Sequence, residues 1–418
     1  MRIKRERLYR LPWSKTDNPG GWVEVTDECD LKCPGCYRHT LEGHRPLEEV
    51  KADIIACKKI TGCDGMAISG GEPLIYPHIV EVVDFISGHR MKPVILTNGE
   101  KLTWELAKEL KKAGLTKFHF HIDSAQERPG WTGKNEVEMN ELRQHYADLI
   151  WKLRGIQCGF NVTVFRQTLQ YLPEIVKWCR QNIHKVHHLS LIAFRGLPST
   201  KDLGYVVNGQ KIDLGALLDS YSDLDEISIS SDEMLETISN QFPDFHACAY
   251  LNGTTAPEAN KFLIIIHIGS KGKIYGGLGA KGVELAQVFY HFFKRRYCLF
   301  SRNQKVGKII FGLFPFDGKI RKAFLNFLLG LARNPLRMFY KIYVQPVVLE
   351  QPLEIMDGKI NLCDGCVNTM VYKGKLINSC RLDEYRLYGA PIIPVLTQTL
   401  GAKKGILNSM KGVNHDHK

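Results

Sequence analysis

Three cysteines near the start of the chain have a spacing that suits an iron–sulfur cluster. Cys29, Cys33 and Cys36 lie within eight residues, and cysteine thiolates hold the iron corners of a [4Fe–4S] cubane. Three ligands leave one iron open to bind a further group. The spacing also permits a ferredoxin-like cluster or a zinc site, although structural zinc usually takes four ligands.

A second group of three cysteines lies towards the other end of the chain. Cys363 and Cys366 form a Cys-x-x-Cys pair, and Cys380 follows after thirteen further residues. The sequence between them predicts a β-hairpin with Gly374 at its turn. This triad indicates a second iron–sulfur cluster, with structural zinc as the alternative. The residues that could supply a fourth ligand are Cys248, Cys298 and Asp383.

In the first half of the chain, short runs typical of β-strands alternate with longer runs whose apolar residues recur at helical spacing. These elements must position the cysteines. Predicted strands cover residues 22–26, 66–69, 93–97, 117–122, 158–164 and 186–194. Predicted helices cover residues 46–60, 78–87, 103–113, 135–153 and 172–183. Strands that alternate with helices form an α/β fold with a parallel sheet and right-handed crossovers. An open sheet and a partial barrel both fit, and both place the ligand site at the carboxyl ends of the strands.

Polar residues and glycines follow the predicted strands at the edge where such a site is expected. They are Gly70, Gly71, Glu72 and Pro73 after the second strand, Thr97 and Asn98 after the third, and Asp123 and Ser124 after the fourth. In the fourth strand, the alternation of side chains puts His119, His121 and Asp123 on one face. If the Phe and Ile side chains of the other face pack on helices, this polar face points into the barrel. The histidines would then act as acid–base or hydrogen-bonding groups. The alternative is that both are structural core histidines.

The order of these motifs resembles the radical S-adenosylmethionine (SAM) superfamily over roughly residues 22–195. The motifs are Cys-x₃-Cys-x₂-Cys-Tyr, then Gly-Gly-Glu-Pro, then Thr-Asn-Gly. The resemblance implies a partial (βα)₆ TIM-type barrel in which SAM chelates the open iron. It also implies that a reduced cluster, supplied by an electron donor such as flavodoxin or ferredoxin, cleaves SAM to a deoxyadenosyl radical. That radical would abstract a hydrogen atom from a substrate.

The same resemblance assigns positions around SAM. Residues 70–73 would contact the SAM amino group, and Tyr37 would lie beside the adenine. The strand-end positions that it places around the rest of SAM are Thr97, Asn98, Asp123, Ser124, Asn161, Leu191 and Ile192. Of these, Asp123, Ser124 and Asn161 would face the ribose and methionine. Leu191 and Ile192 would line the adenine pocket.

The second triad resembles the twitch and SPASM extensions of radical SAM enzymes. Its Cys-x₂-Cys-x₁₃-Cys spacing matches the auxiliary cluster of the GTP cyclase of molybdenum cofactor synthesis. The resemblance implies a second [4Fe–4S] cluster in a C-terminal α+β extension. The paired-glycine C-terminus of that cyclase is absent and the basic segment 294–341 does not fit it, so the resemblance carries the cluster and not the substrate.

The chain has a formal net charge of +12, and most of the excess lies in one segment. Residues 294–341 contain twelve lysines and arginines but a single acid, Asp317, among many aromatic and aliphatic residues. A basic amphipathic segment is typical of binding to an anionic membrane surface. A core helix pair with a solvated basic face is an equal alternative. Nucleic acid is disfavoured, because the apolar content is too high for a pure phosphate-binding surface.

These observations predict five segments. They are an N-terminal extension (1–21), a barrel (22–200), a bridging region with basic aromatic helices (201–350), an auxiliary cluster region (351–400) and a flexible tail (401–418). No secretory signal or membrane-spanning stretch is evident, which predicts a cytoplasmic protein that could associate with membranes through its basic segment. The 44% apolar content excludes a wholly disordered chain.

The leading functional hypothesis is a radical SAM enzyme that acts on a lipid-linked or membrane-associated substrate. A radical SAM enzyme that matures a peptide is the second hypothesis. A non-catalytic protein that binds metal and nucleic acid is the third.

Overall fold

A computed structural model describes residues 4–33, 36, 38, 43–194, 203–212, 229–299, 307–356 and 358–396. The strands are β1 (Tyr9–Arg10), β2 (Gly20–Thr26), β3 (Gly65–Gly70), β4 (Lys92–Thr97), β5 (Lys117–His121), β6 (Gln157–Val164), β7 (His188–Ala193), β8 (Leu203–Val207), β9 (Gln210–Ile212), β10 (Ala249–Asn252), β11 (Asn260–Ser270), β12 (Lys273–Gly277), β13 (Tyr343–Glu350), β14 (Glu354–Met356), β15 (Lys359–Asn361), β16 (Thr369–Tyr372), β17 (Lys375–Asn378) and β18 (Ile393–Leu396). The α-helices are α1 (Leu47–Thr61), α2 (Ile79–Gly88), α3 (Trp104–Lys112), α4 (Asn140–Leu153), α5 (Leu172–Gln181), α6 (Ser231–Gln241), α7 (Ala280–Lys294), α8 (Gly318–Arg333) and α9 (Leu382–Tyr388). Short 3₁₀ helices at Gly307–Leu313, Pro335–Phe339 and Ser379–Arg381 lie among them.

Strands β2 to β7 form a parallel sheet in which each strand pairs with the next one in the chain. Helices α1 to α5 return the chain between successive strands. Strand β2 lies at the end of this sheet and does not pair with β7, so the barrel is open. This is the partial (βα)₆ barrel that the sequence predicts.

The sheet continues beyond β7 in a way that the sequence does not predict. Strand β13 pairs in parallel with β7, with Val347 opposite Leu189 and Glu350 opposite Ile192. Strand β11 then pairs antiparallel with β13, and β10 and β1 follow. The chain therefore returns to the barrel sheet at residue 343, inside the stretch that the sequence assigned to a bridging region.

The barrel core lies between the sheet and the helices. In α2, Ile79, Val82, Val83 and Ile86 are buried at helical spacing and pack in this core. In β5, Phe118 and Phe120 belong to the same core. Because side chains alternate along a strand, Lys117, His119 and His121 occupy the opposite face, as the sequence predicts.

The C-terminal region packs on the open side of the barrel. Strands β16 and β17 form the predicted hairpin, with Tyr372 opposite Lys375 and Gly374 in the turn at φ +75°. Met370 of this hairpin packs with Trp22 of β2, and Val371 joins the barrel core. The region therefore covers the unpaired edge of β2 and is not a separate body.

The predicted barrel strands and helices α1 to α5 all occur within two residues of their predicted bounds, apart from the start of α4, which lies five residues later. The N-terminal extension is joined to the barrel sheet, because β1 pairs with β10. The predicted tail, residues 401–418, lies outside the described residues.

Candidate active site at the carboxyl edge of the barrel

The first cysteine loop begins where β2 ends. Asp27 N donates to Gly43 O at 3.0 Å, and Thr26 Oγ1 lies 2.8 Å from His44 Nδ1, so the two ends of the loop are held together. Within it, Cys36 N donates to Cys33 O at 3.1 Å. The loop is thereby anchored at the edge of the sheet where parallel-strand folds bind ligands.

The three thiols of this loop influence one another. Removal from water raises the pKa of each, that of Cys29 to about 11. At Cys33 the thiols of Cys36 and Cys29 add to this rise in pKa, and the Arg128 guanidinium opposes it. Thiols in this state are protonated, so a bound iron would displace their protons.

Two glycines seat this loop against the end of β3. A Cβ on Gly70, whose φ is +139°, would lie 2.1 Å from Thr26 O, and a Cβ on Gly71 would lie 2.1 Å from Glu28 O. Gly71 N donates to Thr26 O at 2.7 Å. The glycines are therefore required by the close approach of the backbone that leads into Cys29.

Glu72 joins the ends of two strands through its side chain. Its buried carboxylate accepts hydrogen bonds from Thr97 Oγ1 at 2.6 Å, Asn98 N at 2.7 Å and Leu74 N at 2.9 Å. Burial raises the pKa of Glu72 to about 7, against the effect of these donors. Both carboxylate oxygens therefore accept hydrogen bonds within the protein. Pro73 is buried at the start of the following 3₁₀ helix.

Asn98 connects the end of β4 to the cysteine loop. Its Nδ2 donates to Asp30 Oδ1 at 2.7 Å and lies 3.9 Å from Cys29 Sγ. Asn98 Oδ1 accepts from Glu100 N at 2.8 Å, which fixes the amide orientation. The third motif therefore reaches the first cysteine directly.

His121 and Asp123 form a pair at the carboxyl end of β5. His121 Nε2 lies 3.0 Å from Asp123 Oδ2 and 2.9 Å from Thr163 Oγ1 of β6. Asp123 is buried, whereas the His121 side chain is 40% exposed. Although burial opposes it, the contacts with His121 and Thr163 hold the pKa of Asp123 below its ordinary value. An oriented imidazole with one exposed side is suited to contact a ligand.

His119 has a different environment from His121. It lies one step deeper, opposite Gly159 of β6, with its ring 4.8 Å from that of His188. Burial, together with the nearby Lys117, lowers its pKa well below the ordinary value. Its Nε2 is buried and has no hydrogen-bond partner among the described residues. The structure therefore places His119 in the interior and His121 at the site edge.

The remaining residues predicted to contact SAM lie in different environments. Asn161 lies opposite His121, on the same stretch of sheet edge, and Ser124 N donates to Glu136 Oε1 at 2.6 Å. Ile192 alternates with Leu191, whose side chain is fully buried in the helix-facing core. This corrects the expectation for the Leu191 side chain, since only its backbone can face an adenine. Tyr37 lies outside the described residues.

A buried ionic network that the sequence did not indicate joins the first cysteine loop to the C-terminal region. Arg38 pairs with Glu24 of β2 and with Asp383 of α9, and it donates to Ser379 O at 2.8 Å. Arg386 pairs with Asp383 and with Asp27. Every side chain in the pairs is 5% exposed or less. The network fixes the position of each cysteine loop relative to the other.

A second buried arginine, Arg128, connects the loops at the carboxyl edge of the barrel. The Arg128 side chain is fully buried and donates to Glu100 Oε1 at 2.8 Å, to His121 O at 2.6 Å and to Gln126 Oε1 at 2.9 Å. It therefore ties the end of β5 to the loop after β4. Neither Arg38 nor Arg128 stands in a spacing that could have identified it, because their partners are distant in sequence or lie in loops.

The second cysteine triad lies in the C-terminal region, near the start of β2 and the end of β13. Cys366 O accepts a hydrogen bond at 2.8 Å from Nδ2 of Asn18, a residue just before β2. Cys363 Sγ lies 3.9 Å from the carbonyl oxygen of Gln351, a residue just after β13. The thiols of Cys363 and Cys366 share a hydrogen bond that raises the pKa of Cys363 and lowers that of Cys366, and Cys380 adds to the rise. Two cysteines of the triad therefore lie near the start of β2 and the end of β13, and the third influences the pKa of Cys363.

Of the three predicted fourth ligands for this triad, two are engaged in other contacts and one lies at the opposite edge of the barrel. Asp383 is held by Arg38 and Arg386. Cys298 lies near Asp64 and Lys92, at the amino ends of β3 and β4 and so at the opposite edge of the barrel. Cys248 donates to Ile264 O at 3.2 Å inside the sheet.

Across the described ranges, no three His, Cys, Asp or Glu side chains are gathered closely enough to hold a metal ion. Both iron–sulfur sites are therefore inferred from the donor set and the loop positions. The donor set fits by its chemistry, because each triad offers three cysteines, and thiolates are the ligands that iron–sulfur clusters take.

A parallel open barrel with a cysteine loop after its first strand and glycines after its second defines a SAM-dependent radical domain. Residues 23–179 match the family described as Radical SAM superfamily. Residues 23–179 therefore form a radical SAM domain, a kind of domain that implies SAM and one [4Fe–4S] cluster.

Curated relatives are similar over part of the chain. A probable GTP 3′,8-cyclase of Methanocaldococcus jannaschii is 26% identical over 170 residues, which is 38% of this chain and 54% of the relative. An AdoMet-dependent heme synthase of Oleidesulfovibrio alaskensis is 25% identical over 246 residues, 56% of this chain and 55% of the relative. The chain therefore spans about half the length of these relatives.

A solved structure of Streptococcus suis SuiB bound to S-adenosylmethionine aligns with 45% of this chain and 42% of its own, at 17% identity and a TM-score of 0.33. That likeness is too low to bear on substrate. In the part of the chain that the structure describes, no helix is both long and apolar enough to cross a membrane.

Proposed function

We propose that this protein cleaves SAM reductively at a [4Fe–4S] cluster held by Cys29, Cys33 and Cys36. The observation that carries the proposal is the meeting of three motifs at one edge of the barrel. Asn98 contacts both Asp30 and Cys29, and the backbone of Gly71 is bonded to the start of the same loop. When bound, the cluster and SAM supply one-electron cleavage of a carbon–sulfur bond and hydrogen abstraction from a substrate.

The chain's own residues orient and enclose this chemistry. Glu72 holds the ends of β3 and β4 together, so the backbone groups of residues 70–73 face the loop in a fixed geometry. Asp123 and Thr163 orient the imidazole of His121. We assign His121 to contact with SAM or substrate and Asp123 to its positioning. His119, which is buried and unprotonated, is assigned a structural role.

Cys363, Cys366 and Cys380 are proposed to hold an auxiliary [4Fe–4S] cluster. The support is that Cys366 O is bonded to Asn18 just before β2, that Cys363 Sγ lies near Gln351 just after β13, and that Cys380 influences the pKa of Cys363. Half-buried Glu350 lies at the end of β13 and influences Cys366, so the region also offers an acid to a substrate. An external one-electron donor such as flavodoxin or ferredoxin is required by the chemistry.

The basic segment does not direct a substrate to this site. It starts next to the amino end of β3, where Arg296 Nε lies 3.2 Å from Asp64 Oδ1, and it ends just before the amino end of β13 at Tyr343. The carboxyl edge with His121 is at the other end of the same strands. A lipid-linked substrate, which the sequence suggested from this segment, is therefore not part of the proposal, and neither is a peptide.

Anaerobic reconstitution with iron and sulfide tests both sites. Two cubanes predict about eight irons per chain. Cys366→Ala should retain about four irons and still form 5′-deoxyadenosine from SAM and dithionite. Cys33→Ala should retain a similar number and form none. Stoichiometric zinc binding without 5′-deoxyadenosine from the wild type would favour the non-catalytic hypothesis instead.

A further inference from the structure

A folded surface at the amino end of the barrel exposes an unusual number of large apolar side chains. We define the basic apolar face as the 3₁₀ helix Gly307–Leu313, helix α8, the 3₁₀ helix Pro335–Phe339 and the residues that connect them to Lys341. Its most exposed members are Phe339 at 82% and Ile309 at 80%. The other exposed apolar residues are Phe314, Phe316, Leu325, Leu328, Leu329, Leu336, Met338 and Tyr340. A cluster of exposed apolar side chains with cations among them is typical of an interaction surface.

The parts of this face are packed together as one unit. The Phe324 ring of α8 lies 5.3 Å from that of Phe311 and 5.7 Å from that of Phe314. Lys308 Nζ donates to Met338 O, which joins the two 3₁₀ helices. Helix α8 buries Ile320, Ala323, Phe327 and Gly330 on one side. Its opposite stripe is therefore exposed as part of a fixed surface and not as a disordered loop.

The charge on the face is of one sign. Residues 307–341 include seven lysines and arginines and one acid, Asp317. Asp317 is buried, because its carboxylate accepts from Lys319 N and Ile320 N at the start of α8 and from Gly282 N. The exposed charges are thus all cationic. A second copy of this chain is a poor occupant for such a face, because it would bring like charges together.

A cavity lies at one edge of the face. It has a volume of about 660 Å³ and is bordered by Tyr340 and Lys341 of the face. Its other lining residues are Asp148, Trp151, Lys152, His184, Lys185, Lys271 and Tyr343. Asp148 pairs with Lys185, which leaves Lys152, Lys271 and Lys341 as an excess of positive charge. His184 is 8% exposed, and its Nδ1 has no hydrogen-bond partner among the described residues.

The face and the cavity are remote from the cysteine loops. Strand β13 begins at Tyr343, opposite Gly269 of β11, and ends at Glu350 beside Ile192 on the carboxyl edge. The turn that holds Lys271 follows β11 at the amino edge, and Arg337 Nη1 lies 3.5 Å from Tyr275 OH next to it. The surface can therefore anchor the protein without covering the site around His121.

We propose that the basic apolar face docks this protein on an anionic phospholipid surface, with a headgroup phosphate in the lysine-lined cavity. Phe and Leu side chains enter the acyl boundary while Lys and Arg reach the headgroups. The excess of cations selects an anionic lipid over a neutral one. The docking leaves the carboxyl edge of the barrel open to the aqueous side. The proposal does not depend on SAM cleavage.

Cosedimentation of the reconstituted protein with vesicles tests this directly. We expect binding to phosphatidylglycerol–phosphatidylcholine vesicles to be at least about tenfold stronger than to phosphatidylcholine alone at low salt. Leu336→Ser/Phe339→Ser should reduce partitioning about tenfold. Lys271→Gln/Lys341→Gln should reduce the preference for the anionic lipid. Trp104→Ser/Lys108→Gln, an exposed aromatic and cation on α3, is the matched control and should bind as the wild type does.

Each other outcome overturns the proposal. Equal binding to both vesicle types would contradict the charge argument, and no binding to either would contradict docking itself. A rise in melting temperature with inorganic phosphate but no vesicle binding would identify the cavity as a site for a small anion. Concentration-dependent dimers lost in Leu336→Ser/Phe339→Ser would assign the face to a second copy. All variants should retain the wild-type melting temperature and SAM cleavage, so loss of docking is distinguishable from loss of the proposed activity.

Discussion

Arg38 Nη1 donates to Asp383 Oδ1 at 3.3 Å, and this contact joins positions 345 residues apart in the chain. Arg38 lies in the first cysteine loop, two residues after Cys36, and Asp383 follows Cys380 by three residues. The ion pair is buried on both sides. Two loops that the sequence treats as separate are therefore fixed to one another by charge, so the auxiliary triad is positioned through the same residues that support the first loop.

Replacement of Asp383 should destabilise the protein. Asp383→Asn removes the charge that Arg38 and Arg386 share, and breaking a buried ion pair costs about 3–5 kcal/mol in the free energy of unfolding. Urea denaturation measures this change. Glu284→Gln, which removes the exposed partner of Lys281, is the control and should cost about 0.5 kcal/mol or less. Equal effects of the two substitutions would show that the network is not stabilising.

Gly71→Ala should impair SAM cleavage more than folding. The added Cβ would lie 2.1 Å from Glu28 O, so the backbone that leads into Cys29 has to move. A displacement of about 1 Å in a positioned group costs on the order of 100-fold in rate. The 5′-deoxyadenosine yield measures this effect. Gly88→Ala, where the new Cβ meets nothing within 4 Å, is the control. Wild-type cleavage by Gly71→Ala would contradict the account of the loop.

Substitutions of the two histidines of β5 should have different effects on SAM cleavage. His121→Gln removes an imidazole at the site edge, and we expect SAM cleavage or its coupling to substrate to fall at least about tenfold. His119→Leu replaces a buried ring whose Nε2 has no partner in the described structure, so cleavage should remain near the wild-type rate. If His119→Leu abolishes cleavage while the melting temperature holds, the assignment of the two residues is reversed.

Lys117 should produce a pH-dependent cost in stability. Burial lowers its pKa from 10.5 to about 7, so the unfolded chain binds more protons than the folded one between these values. Stability therefore rises with pH in this window as far as Lys117 is concerned. The advantage of Lys117→Met over the wild type should be about 3 kcal/mol larger at pH 7 than at pH 9.5. A pH-independent difference in unfolding free energy would contradict this prediction.

The barrel was predictable because its signals are local. Alternating apolar periods gave β2 to β7 and α1 to α5 in order, and rules for crossover connections then specify a parallel sheet. The glycine and polar residues at 70–73, 97–98 and 123 stand directly after these strands, so their common edge also follows from the chain order. The hairpin around Gly374 was predictable for the same reason.

The parts that were missed depend on contacts between distant segments. Strand β13 pairs with β7 although about 150 residues separate the two strands in the chain. Its short apolar run directly follows a helical, basic stretch, so the sequence pattern did not distinguish it as a strand. Arg38, Arg128 and Arg386 carry no spacing signal, since each finds its partner only in the folded chain. Leu191 was misplaced because alternation along β7 puts its side chain among the helices. The basic segment was noticed, but its location at the amino edge required the register of β11 and β13.

The most direct test of the central claim is the yield of 5′-deoxyadenosine from the reconstituted, reduced protein with SAM. The wild type should form it, and Cys298→Ala, which removes a thiol near Asp64 at the opposite edge of the barrel, should match the wild type. Cys33→Ala should form none above the protein-free background. Equal yields from Cys33→Ala and the wild type, or no product from a wild type that carries its full iron, would contradict the proposal that the first triad supports SAM cleavage.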